Sequence, residues 1–169
     1  MKHNREFEIP FIGLKPGEHV FNYVITDSFF EQFEKPEFST ANIEVKLEMD
    51  KKQGCFLLKF FINGKVTIMC DRCADDYEMT LWDEFELLVK QIEDSEVSKK
   101  TEDDAEVAYI ARSESILDVS NWIYEFIILS VPIQHIHPDD EHGKSTCNPD
   151  VLEILKKQHN REPRQEGAN

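Results

Sequence analysis

The sequence predicts an α+β fold, with a mainly antiparallel β-sheet in the N-terminal half, a packed amphipathic helix and a short C-terminal helix. Three observations support this. Residues 41–49, ANIEVKLEM, alternate strictly: Ile43, Val45, Leu47 and Met49 share one face, and Asn42, Glu44, Lys46 and Glu48 the other. That is the pattern of a half-buried strand. In ILDVSNWIYEFIILSVP, Val119, Trp122, Ile123, Phe126 and Ile127 recur at helical spacing. Between these halves, EDSEVSKKTEDDAE (residues 93–106) shows no apolar period, the composition of a solvated, mobile loop whose charge serves solubility.

The elements follow in chain order. FEIPF reads as an edge strand, because Pro10 cannot donate to a ladder. HVFNYVIT reads as a second strand. A short helix is expected over residues 28–34, with Ser28 and Glu31 forming a capping box and Pro36 stopping it. After the ANIEVKLEM strand, GCFLLKFFING and KVTIMC read as two strands joined by an Asn63-Gly64 hairpin turn. Cys55, beside Phe56, Leu57 and Leu58, is expected to be buried and inert. YEMTLWDEFELLVKQI then alternates through Tyr77, Met79, Leu81, Phe85, Leu87 and Val89. VAYIA is a further short strand. The amphipathic helix is capped by Asp118 and ended by Pro132, with Glu125 on an exposed flank. The polar stretch HIHPDDEHGKSTC leads to a helix over residues 149–158. There Asn148 is the N-cap, Pro149 the first helical position and Asp150 the dipole partner. These elements form one domain over residues 1–160, β-rich over 1–92 with a strand and helices over 107–160. Residues 161–169 read as a flexible tail.

Composition narrows the function. No segment approaches the ~18 uninterrupted apolar residues of a membrane helix, and MKHNREFEIP lacks the apolar centre of a signal peptide. A cytoplasmic protein with no membrane partner is expected. The formal charge of −15 argues against a broad grip on nucleic acid, which depends on Lys and Arg displacing counterions. A local basic patch or a basic protein partner is compatible with it. There is no Gly-rich phosphate loop and no G-x-S-x-G, and the histidines of HIHPDDEH lack the rigid helical frame of a hydrolase metal site. A non-enzymatic role without a small-molecule substrate is expected.

The chemistry concentrates in VTIMCDRCADDYEM. Cys70 and Cys73, in C-x-x-C spacing, leave three readings open: half of a zinc site, a redox pair, or a tight turn with two free thiols. Redox chemistry fits poorly, because Asp71, Asp75 and Asp76 oppose a thiolate and Arg72 offsets them only in part. A zinc shell has to be completed from downstream, where Cys147, His142, His137 and His135 are the candidates. The set expected is Cys70, Cys73, His142 and Cys147, with Arg72 as a partner contact.

In combination these features resemble the YceD-like family of bacteria and plastids, also called large ribosomal RNA subunit accumulation proteins. The residues that carry the resemblance are Cys70, Arg72 and Cys73; Asp118 and Val119; Glu125; Ile127, Leu129, Ser130, Val131 and Pro132; and Cys147. It spans residues 40–150. The resemblance implies a role in accumulation of large-subunit ribosomal RNA, through processing or assembly, with that RNA or a basic ribosomal protein as partner and no catalytic activity. Many relatives carry more tail cysteines, so a four-cysteine zinc site is not carried over. A zinc-stabilised interaction module unrelated to ribosomes is the alternative.

Overall fold

The computed structural model describes residues 5–97 and 106–159. Strand β1 (Glu8–Ile9) pairs with β7 (Leu117–Asp118) as a separate two-stranded ribbon. Of FEIPF, then, only two residues are extended, and they join the C-terminal half of the chain rather than the main sheet. That sheet has five strands in the order β2 (Gly17–Thr26), β3 (Ser39–Lys52), β4 (Cys55–Met69), β5 (Asp76–Ile92) and β6 (Val107–Ala111). All its neighbours are antiparallel except β5 and β6, which run parallel. The mixed α+β class is as the sequence predicts.

One face of the sheet is the core. Ile25, Ile43, Val45, Leu47, Met49, Phe56, Leu58, Phe60, Ile62, Leu81 and Val89 point into it and are almost completely buried. It is covered by α1 (Asp27–Phe30), by the 3-10 turns Arg5–Phe7 and Phe11–Gly13, and by α3 (Ser120–Ser130). Helix α3 lays Ile123, Phe126 and Ile127 onto β4 and β5. There Phe126 stacks on Phe85 at 4.5 Å and meets Phe60 edge-on at 5.0 Å. Glu125 is exposed, as the helical pattern implies.

Several local expectations need correction. Asn63-Gly64 is no hairpin: β4 runs through it for 15 residues. The turn between β3 and β4 is instead Gln53-Gly54, with Gly54 at φ 78 and Lys52 paired to Cys55. The inward positions of β4 stay in phase through Gly64, from Phe60 and Ile62 to Val66 and Ile68, whereas a two-residue turn would have shifted them. Gly64 is needed for space. Across from it, β3 carries a bulge between Ser39 and Asn42, with Thr40 at φ 51. A Cβ at residue 64 would strike the Asn42 carbonyl oxygen and lie 2.5 Å from Ile43 Cα. Cys55, at the start of β4, is half-buried rather than buried.

Helix α1 begins at Asp27, ahead of Ser28, and ends at Phe30. Asp27 accepts the Ala41 backbone N–H at 2.7 Å, which pins the helix to the bulge. Asp118 lies in β7, but its carboxylate accepts the Ser120 N–H at 2.9 Å, so it still satisfies a donor at the start of α3. The acidic run begins with a helical turn, α2 (Asp94–Val97). Residues 98–105 of that run, and the tail 161–169, lie outside the described residues. The last helix, α4, is Pro149–His159, and Asn148 Oδ1 accepts the Asp150 N–H at 3.1 Å.

Gly64→Ala should destabilise the fold by about 1–3 kcal/mol, the usual cost of forcing a carbon into packed backbone. Denaturant unfolding checks this; an unchanged midpoint would show that the β3 bulge yields freely.

Candidate metal centre

The C-x-x-C pair occupies the loop joining β4 to β5. Met69 is still paired with Asp76, so residues 70–75 must reverse the chain between them. The Ala74 N–H donates to the Cys70 carbonyl and the Cys70 N–H to the Asp75 carbonyl, both at 2.9 Å. Ala74 sits in the left-handed region at φ 61. This tight turn directs both thiols inward, where Cys70 and Cys73 are buried.

A second segment folds onto the turn. The Asp71 N–H donates to the His135 carbonyl at 2.7 Å, and the His135 N–H donates back to the Asp71 carboxylate at 2.7 Å. Further along, Asn148 Nδ2 donates to Asp75 at 3.0 Å. Between these clamps the chain makes a small hairpin of its own. Asp139 bridges Ser145, the Asp140 carboxylate accepts the His142 and Lys144 N–H groups, and Gly143 takes φ 73. The base of this hairpin presents His137 and Cys147.

Four side chains therefore converge: Cys70, Cys73, His137 and Cys147, with all ligand atoms within 4.8 Å of one another. Cys70 Sγ lies 3.7 Å from Cys147 Sγ, Cys73 Sγ 3.4 Å from His137 Nδ1, and Cys147 Sγ 3.8 Å from His137 Nδ1. Zinc–sulfur bonds of about 2.3 Å and zinc–nitrogen bonds of about 2.0–2.1 Å at tetrahedral angles give edges of ~3.8 Å between sulfurs and ~3.5 Å from sulfur to nitrogen. The Cys70–Cys147 and Cys73–His137 distances match those edges, and the Cys147–His137 distance of 3.8 Å is slightly longer than its edge. A disulfide would need its sulfurs about 2.05 Å apart, and all four cysteines are free.

Of the expected set, the structure brings Cys70, Cys73 and Cys147 together and leaves His142 apart. His142 stands exposed in the hairpin turn, and His137 takes its place. The D-x-x-G turn of Asp140 to Gly143 is the signal that separates the two, since a residue inside a turn cannot also sit at its base. Arg72 is exposed on the turn, with Nη1 3.5 Å from the Ser145 hydroxyl.

The electrostatics favour a cation. Burial opposes ionisation of Cys70, but the His137, Cys73 and Arg72 backbone amides and the His137 side chain outweigh it and hold the thiol below its usual range. For Cys147, the Ser145 hydroxyl favours the thiolate, yet burial and the neighbouring Cys70 and Cys73 push the pKa up. Tyr77, whose ring lies 4.6 Å from that of His137, has its phenol pKa raised by burial and by Cys70, Asp71 and Cys147. The two thiols therefore shift in opposite directions, Cys70 down and Cys147 up. A divalent cation between them would favour the thiolate form of both.

Residues 58–167 match the family model described as large ribosomal RNA subunit accumulation protein YceD. The chain belongs to the YceD family. The matched stretch of this family member contains both halves of the candidate metal centre, from β4 to α4. No curated protein and no solved structure matches the chain. No helix among the described residues is long and apolar enough to cross a membrane.

Ala74→Gly should raise the thermal midpoint. Relief of a left-handed alanine, worth about 1–2 kcal/mol, exceeds the ~0.5–1 kcal/mol entropy cost of glycine. A lowered midpoint would mean that the methyl group packs rather than strains.

Proposed function

We propose that this YceD-family chain is a non-enzymatic factor that supports accumulation of large-subunit ribosomal RNA or assembly of the large subunit, acting by binding RNA or a basic ribosomal protein. The observation that carries this reading is family membership over residues 58–167. The cluster supports a scaffolding role. Three thiols and an imidazole make up a complete tetrahedral shell, whereas a catalytic zinc keeps one position open for water or substrate. We assign zinc to Cys70, Cys73, His137 and Cys147, because that mixture of soft and borderline donors suits it. When bound, the ion supplies a cross-link between the β4–β5 turn and the segment from His137 to Cys147. The exposed Arg72 at that turn offers partners a cationic contact.

Full-length protein purified without chelator should hold about one equivalent of zinc, given how tightly structural sites bind. His137→Ala and Cys73→Ser should lose it, and His142→Ala should retain it. Elemental analysis checks all three; retention by His137→Ala would remove the assignment. For the cellular role, depletion should lower mature large-subunit RNA and large subunits, with recovery on re-expression of the wild-type chain. Normal RNA levels and subunit profiles after depletion would remove the ribosomal reading.

A further inference from the structure

The sheet has a second face that no described element covers. Its residues form cross-strand rows fixed by register. Glu18, Asp50, Leu57 and Leu88 make the first row, and Val20, Glu48, Lys59 and Glu86 the second. Asn22, Lys46, Phe61 and Glu84 follow, then Val24, Glu44, Asn63 and Trp82. The four rows carry six carboxylates against two lysines.

Both lysines are already engaged by the face itself. Lys46 pairs with Glu48 at 2.6 Å, and Lys59 with Glu86 at 3.3 Å and Glu84 at 3.6 Å. Their ammonium groups also sit over the Phe61 ring, at 5.4 and 5.3 Å from its centroid. In the flanking row of the same face Lys52 holds Asp50 at 3.4 Å and Lys90 lies beyond Cys55; the face stays negative on balance, and its aromatic floor already carries two cations. The first two rows enclose a trough of about 400 Å³ whose apolar lining includes Val20, Leu57 and Leu88. Trp82 stands 72% exposed at the far end of the same face.

We propose that this outer sheet face docks an extended, lysine- and arginine-rich protein segment. Its cationic heads would meet Glu18 directly and compete with Lys46, Lys52 and Lys59 for Glu48, Asp50 and Glu86, and its aliphatic stems would lie along Leu57 and Leu88. Charge complementarity selects this occupant. A nucleic acid strand or a second copy of the chain would each bring negative charge onto a negative face, whereas long basic side chains supply both the cation and the apolar stem that the trough presents. The naming of a basic ribosomal protein as the source of the segment rests on the function proposed above; the surface chemistry does not.

The test uses the full-length chain and a fluorescein-labelled synthetic peptide of repeating Lys-Leu-Arg-Ser, read by anisotropy and by Trp82 emission. The peptide should bind, and binding should weaken as salt rises past about 0.1 M. The paired substitutions Glu48→Lys and Glu86→Lys should weaken it at least about tenfold. Glu48→Gln with Glu86→Gln, a gentler change at exposed positions, should weaken it in the same direction. Trp82→Phe should remove the emission change and leave anisotropy binding in place. Equal peptide binding by the wild-type chain and both double variants would overturn the proposal. So would an oligouridylate that binds the chain and displaces the peptide, or sedimentation showing a dimer that excludes it. Peptide binding through these residues alongside normal ribosomal RNA after depletion keeps the surface and removes the ribosomal reading. The reverse pair of results removes the surface alone.

Discussion

The segment that follows α3, from His135 to His159, depends on a second, very small core. Cys70, Cys73 and Cys147 form it, with Tyr77, Ile136, Val151 and Leu152 packed around them. Helix α4 buries no residue fully, so Val151 and Leu152 are its main apolar attachment. Two half-buried aliphatic side chains contribute less than the ~1.5–3 kcal/mol each that full burial yields. A structural zinc ion is worth about 10–16 kcal/mol in apparent binding energy in small domains. On those magnitudes the proposed ion, once bound, would outweigh this packing in holding the segment from His135 onward against the sheet.

The main sheet supplies the rigid side of that attachment. β4 and β5 are paired along 15 residues, and their far end is the cysteine turn. The turn is thereby held at the end of a long, fully paired hairpin whose middle packs under α3 through Phe60, Phe85 and Phe126. The Asp71–His135 pair of hydrogen bonds then fixes where the incoming segment lands. Strain is kept local to the places that need it: Thr40 at the bulge and Ala74 in the turn are the only non-glycine residues with positive φ among those described.

Much of this was legible in the chain itself. Strict alternation in 41–49 and the helical stripe from Val119 to Ile127 reported burial directly, because a side chain's face follows from its position within a regular element. At Asn63-Gly64 a turn dipeptide and the phase of the strand point in opposite directions, and the phase prevails. The alternation through Ile62, Gly64 and Val66 was in the sequence, and it excludes a turn there. The bulge that makes Gly64 necessary was not, because it lies on a neighbouring strand 22 residues away in Asn42.

The outer face illustrates the same division. Each strand taken alone shows ordinary solvent-facing charge, and only cross-strand register assembles those charges into rows with an acidic surplus and a central Phe61. The candidate metal centre divides in the same way. The sequence by itself determined the donor chemistry: a C-x-x-C in a strand-to-strand turn, a distant cysteine and a choice of histidines. The tertiary structure alone decided among those histidines. Which ring reaches the thiols depends on how the segment after Pro132 turns, and the Asp140–Gly143 turn carries His142 outward while returning His137 and Cys147 side by side. Ligand identity was local information; ligand distance was a property of two chain segments meeting, and no spacing within either one encodes it.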